Sequence, residues 1–153
     1  MNGAIRVLRD TGTFDQALFK GSGDPKKLRA ALAKFPDKLK YMPVISDATA
    51  EAVIATLDAL QPDAIEIVFK TVPTPMLLPE VLATAKRHGT RIWINSLWAT
   101  LNGGHHDALA IAGDPQGSWG WILQQGATII QTDHGVEMRH FLDQSGKRPA
   151  GAR

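Results

Sequence analysis

Residues Ala64–Lys70 read AIEIVFK, and this stretch decides the fold. Ile65, Ile67 and Phe69 alternate with Glu66, Val68 and Lys70, which is the period-2 pattern of a strand. A central strand of an open, doubly wound sheet is covered by helices on both faces and reads as a continuous apolar run. Here one face is apolar and the other carries Glu66 and Lys70. The neighbouring strand-like runs share this asymmetry. Lys20, Asn95, and Gln131 or Asp133 each stand near the carboxyl end of their run. One face packed on helices and one face lining a polar lumen is the arrangement of a barrel.

Working outward, the chain repeats strand and helix about five times. Gly3–Thr11 reads as a short helix stopped at Gly12, and Gln16–Lys20 as a strand. Asp24-Pro25 opens a helix with Leu28, Ala31, Leu32 and Phe35 on one stripe and Pro36 at its end. Lys40–Ile45 is a strand that Pro43 marks as an edge or irregular one. Ser46 or Asp47 caps a helix running to Leu60. Pro79–His88 is a helix closed by Gly89, and Arg91–Asn95 is the next strand. A long polar loop follows. Asp114-Pro115 starts a helix ending at Gly126, Ala127–Asp133 is the last strand and Val136–Ser145 the last helix. The prediction is an α/β protein of βα repeats on a parallel sheet of about five strands. The 153 residues fall short of the ~250 of a complete barrel, so a partial, half-sized barrel over 1–146 is expected, with 147–153 as a flexible tail.

The totals are those of one globular domain: 44% hydrophobic, 21% charged, formal charge +2. That charge, with no basic stripe interleaved with aromatics, predicts no nucleic-acid partner. With no Cys there is no disulfide or thiolate chemistry. No run reaches the ~20 apolar residues of a membrane span, and the first residues lack a signal-peptide core. A soluble, cytoplasmic protein is expected.

Three stretches resemble the carboxyl-terminal half of bacterial glycerophosphodiester phosphodiesterase (GDPD) family proteins, which are TIM barrels. They are Thr13–Ser22, with the core DQALFKGS; Arg91–Asp107, RIWINSLWATLNGGHHD; and Trp119–Asp133, WGWILQQGATIIQTD. The family usually has Pro after its TD and one further residue, where this chain has Gly135. The resemblance implies phosphodiester hydrolysis assisted by a divalent cation such as Mg²⁺ or Ca²⁺. It also implies that the acid/base and metal-binding residues belong to an early His-Arg and Glu-x-Asp. This sequence has neither; Arg139-His140 is the reverse order. The expectation is therefore a phosphodiesterase-like chain, inactive alone, with no catalytic residue and no cofactor of its own. The alternative is a non-enzymatic truncated barrel that self-associates through its open sheet edge as a binding or structural module.

The candidate substrate-binding residues are Lys20, Glu66, Trp93 and Asn95, facing a small phosphodiester. Each has a second reading. Lys20 and Lys70 are either phosphate-neutralising cations or strand-end lysines that snorkel. Glu66 binds a cation or pairs with Lys20 or Lys70. Trp93 lines a groove or simply packs, and Asn95 is the polar group most expected in a pocket. His105, His106 and Asp107 invite a metal reading, but adjacent histidines point apart, and a loop held by hydrogen bonds is favoured. Trp119 and Trp121 are expected to pack. Asp133 acts in the site or caps the last helix, and His88 and His140 are expected at the surface.

Overall fold

A computed structural model describes residues 2–34 and 40–146. Five parallel strands stand in the order β1-β2-β3-β4-β5, which is also their order along the chain. They are β1 (Leu18–Gly21), β2 (Lys40–Ser46), β3 (Ala64–Val68), β4 (Arg91–Asn95) and β5 (Ile129–Gln131). The intervening helices are α2 (Pro25–Leu32), α3 (Ala50–Leu60), α4 (Pro79–His88), α5 (Asp107–Ile111) and α6 (Trp121–Gln124). α1 (Asn2–Asp10) precedes the sheet and α7 (Gly135–Gln144) follows it. A doubly wound sheet reverses its strand order at a switch point. This order never reverses, so the sheet is a partial βα repeat, as the alternation in β3 implies.

The register fixes the two faces. Val44, Glu66, Trp93 and Ile129 form one row across four strands. Ile65 pairs with Ile92, Ile45 with Ile67 and Ile94 with Ile130 on the other face. That second face is the core: Ile65, Ile67, Ile92 and Ile94 pack with Val53 and Leu57 of α3, Val81 and Ala85 of α4, Met76 and Ile122. Each fully buried Ile contributes about 1.5–3 kcal/mol by leaving water. A smaller cluster of Ala110, Trp119 and Met138, with Phe141 and Leu142, lies beyond β5.

Several boundaries differ from the sequence reading, each for a local reason. The cap of α3 is Thr49, whose side chain accepts from the Ala52 N–H, and not Ser46 or Asp47. Asp24 does cap α2, accepting from Lys27 N–H at 2.9 Å. The Leu28, Ala31 and Leu32 stripe of α2 is only half-buried, while Phe35 and Pro36 fall outside the described residues. β2 is not an edge strand. Its residues 40–43 pair with β1 and residues 44–46 with β3, so Pro43 sits where the pairing changes sides. β3 ends at Val68. Phe69 continues only as a single bridge to Asn102. The loop after β4 is not all loop, since it folds back and contains α5. The expected 147–153 tail lies outside the described residues.

Candidate functional site

Lys20, Glu66 and Trp93 are brought together on the face away from the helix-packed core. Lys20 reaches from β1 across β2, and its Nζ lies 2.5 Å from Glu66 Oε2. The same ammonium stands 5.2 Å from the centre of the Trp93 ring, a cation–π distance. Glu66 is 5% exposed, whereas the Lys20 side chain is 41% exposed. The contact is an ion pair by distance but is not aligned as a hydrogen bond. Glu66 Oε2 is thus left without a directed donor, and Trp93 Nε1 is buried without a partner among the described residues. Of the readings open for Glu66, the ion pair with Lys20 is the one formed. Lys70 stands apart: it is exposed beyond β3, 3.6 Å from Asp47.

Below this group the same face opens into a cavity of about 600 Å³ lined by Leu18, Lys40, Asp63, Ala64, Arg91, Trp93 and Ile129, with Gln16. These are mostly the first residues of their strands. The cavity therefore lies toward the amino ends of the sheet, and Trp93 joins it to the charged pair. The sequence placed the ligand at the carboxyl ends only.

Asn95 is buried, and both ends of its amide are engaged. Oδ1 accepts from Leu97 N–H at 2.9 Å and Nδ2 donates to Gln131 Oε1 at 3.1 Å. It turns the chain out of β4 and ties β4 to β5. Asn102, fully buried, donates from Nδ2 to Asn95 O at 2.9 Å. The Phe69 N–H donates to Leu101 O and the Gly103 N–H to Phe69 O, so the loop extends the sheet by one rung. Gly103 has φ +65°, and a Cβ there would stand 2.7 Å from Val72 Cγ1, which accounts for the glycine.

The His105-His106-Asp107 run holds the loop in place. Asp107 Oδ1 accepts from Ser96 Oγ at 2.6 Å and from Trp119 Nε1 at 2.8 Å; Oδ2 accepts from the Asp133 N–H at 3.1 Å. His105 Nδ1 is 2.6 Å from Gly117 O, and its ring stacks on Trp121 at 3.7 Å. Among the described residues no three His, Asp or Glu side chains gather as a metal site. Trp119 and Trp121 pack, as expected. Asp133 does not cap α7; His134 precedes that helix without a side-chain cap bond. His88 is half-buried against Asp58 at 2.7 Å, not on the open surface, whereas His140 is exposed. Two features escaped the sequence reading. One is the Ser96–Asp107–Trp119 linkage, whose partners are far apart in the chain. The other is Trp98, which is 64% exposed and has no flanking pattern to flag it.

The geometry defines a singly wound α/β protein with an ion pair and an open cavity on one sheet face. The chain belongs to the DUF4996 family, a domain of unknown function, whose model matches residues 41–142. No curated protein matches it. These findings overturn the resemblance to the GDPD family, because Arg91–Asp107 and Trp119–Asp133, which carried it most specifically, lie inside the DUF4996 match. The physical roles of those stretches agree with the correction: Asn95, Asn102, Asp107 and Trp119 are used in fastening the loop after β4. No helix is long and apolar enough to cross a membrane among the described residues.

Proposed function

We propose that this chain is a binding module. The sheet face bearing Lys20, Glu66 and Trp93 receives a small polar ligand, and copies of the chain associate along the open sheet edges to enclose it. The observation that carries this reading is the cavity of about 600 Å³ beside an ion pair whose carboxylate is buried, on a sheet whose β1 and β5 each pair on one side only among the described residues. That volume is within the ~300–1,000 Å³ of small-molecule sites. Unpaired edges invite strand addition. Leu18, on the β1 edge, is 40% exposed and lines the cavity.

A phosphodiester suits the Lys20–Glu66 pair less well, because the positive charge of Lys20 is already met by Glu66; the other cations of the face, Lys40 and Arg91, stand at the cavity with Asp63. Light scattering on the chain as it elutes from a sizing column tests the reading. Self-association that weakens in Leu18→Lys supports it. A stable monomer at every concentration overturns the enclosing step.

A further inference from the structure

We propose that the indole face of Trp93 and the carboxylate of Glu66 form a binding site for a small organic ammonium ion, which the Lys20 ammonium occupies in its absence. The proposal rests on reading this face as a binding face, and it names the ligand class. An aromatic face beside a carboxylate is what an organic cation needs: quadrupole attraction on one side, a counter-charge on the other. Here the distances are met by the protein's own cation, 5.2 Å to the ring and 2.5 Å to the carboxylate.

Three features make Lys20 a replaceable occupant. It comes from the edge strand β1 and spans β2 to reach Glu66 in β3, and holding so long a side chain to one contact costs rotamer entropy that release would return. Its side chain is 41% exposed, which leaves it a path into water. Its ammonium is held by one carboxylate oxygen and one ring face, and an incoming organic cation would restore both contacts. Glu66, by contrast, is 95% buried by its 5% exposure and cannot turn to solvent. An unpaired carboxylate there is strongly destabilising, so some cation must stand beside it. A metal ion is poorly served, because Ca²⁺ or Mg²⁺ needs about six oxygen ligands and the described residues gather no such cluster. An anion set against the Glu66 carboxylate itself is repelled, and the cations that could draw one, Lys40 and Arg91, lie at the cavity toward the amino ends. A weakly hydrated alkylammonium fits both the ring and the charge.

The probe is tetramethylammonium chloride, with sodium chloride as the control. Lys20→Met keeps the apolar stem and empties the charge site. Its melting temperature is expected to fall relative to wild type and to recover saturably with tetramethylammonium but not with sodium. Lys20→Met combined with Glu66→Gln is expected to show no such recovery. Equal responses of the single and double variants, or none in the single variant, overturn the proposal. If Lys20→Met does not fold, the wild-type chain is read through the Trp93 indole N–H signal in ¹H–¹⁵N NMR, assigned with Trp93→Phe. A saturable shift specific to tetramethylammonium supports the site, and its absence overturns it. Light scattering on the same samples separates the two readings. Ammonium binding by a monomer overturns only the enclosure, and self-association without ammonium binding overturns only the ligand.

Discussion

β3 and β1 carry the same kind of short alternating strand, AIEIV against LFKG, yet every residue of β3 except Val68 is buried and none of β1 is. The helices beside them differ in the same way: α3 buries Val53 and Leu57 completely, and α2 buries no residue completely. The family match begins at Tyr41, so it takes in the well-packed part and leaves out α1, β1 and α2. The lesson is that alternation writes a strand, while burial depends on having neighbours on both sides. β3 has them; β1, at the edge, has one. Yet this thin flank supplies Lys20, so the residue that completes the charged pair stands on the least supported element.

The sharpest way to break the comparison is at the fastening point of the thick part. Asp107→Ala would orphan the buried Trp119 Nε1 and the Asp133 N–H and loosen Ser96. A buried donor left unpaired costs about 1–3 kcal/mol; with Trp119 Nε1 and the Ser96 hydroxyl buried and the Asp133 N–H part-buried, a loss of roughly 4 kcal/mol is expected in urea unfolding. A loss below about 1 kcal/mol would show that water takes over those donors and that the loop is not a fastening. Next in size is a matched pair. Ile67→Ala should cost about 3 kcal/mol, because the residue is completely enclosed. Leu28→Ala, half-buried on α2, should cost under about 1 kcal/mol. Equal losses would mean that the flank is packed as tightly as the centre.

The contrast also explains what the sequence could disclose. The period-2 run at 64–70, the Asp24-Pro25 start and Gly89 after α4 act within a few residues, so element order, sheet class and the inward-facing Glu66 were legible. Which cation Glu66 takes was not, because that depends on Lys20 crossing β2, a matter of register between distant segments. Asn95 illustrates the opposite failure. Its position on the polar face was readable, but its engagement with Leu97 and Gln131 needs β5 alongside. The polar, Gly-containing stretch after β4 admits a metal reading beside the hydrogen-bonded one because fastening a loop and building a site use the same residue types.

Helix caps give a finer test of the two parts. Thr49 and Asp24 make the same kind of bond to the backbone at the starts of α3 and α2. Replacing either with Ala removes about 1 kcal/mol locally. For Thr49→Ala that loss should appear in global unfolding, since α3 is part of the core. For Asp24→Ala it should appear as faster hydrogen exchange confined to α2, with the urea midpoint nearly unchanged. A global loss from Asp24→Ala would mean that α2 unfolds together with the centre.

The smallest effect concerns acid. Asp58 on α3 meets His88 Nε2 at 2.7 Å and Arg87 at 3.2 Å on α4, tying together two helices of the thick part. The hydrogen bond to His88 chiefly holds the Asp58 carboxyl below its ordinary value; desolvation opposes it, and the bond to Arg87 and the charges of Arg87 and His88 add to the lowering. A carboxylate depressed in the folded chain favours folding fully above its unfolded range, and that contribution disappears as pH falls through the depressed value. Asp58→Asn should therefore lower stability slightly near neutrality and flatten the acid limb of a stability–pH curve, with little difference between the two chains once the wild-type carboxyl is protonated. Both partners reach solvent, so salt should shrink the difference. An unchanged acid limb would show that α3 and α4 are joined by their apolar contacts alone, and the thick part would then owe its stability to Val53, Leu57, Val81 and Ala85 without help from its surface charges.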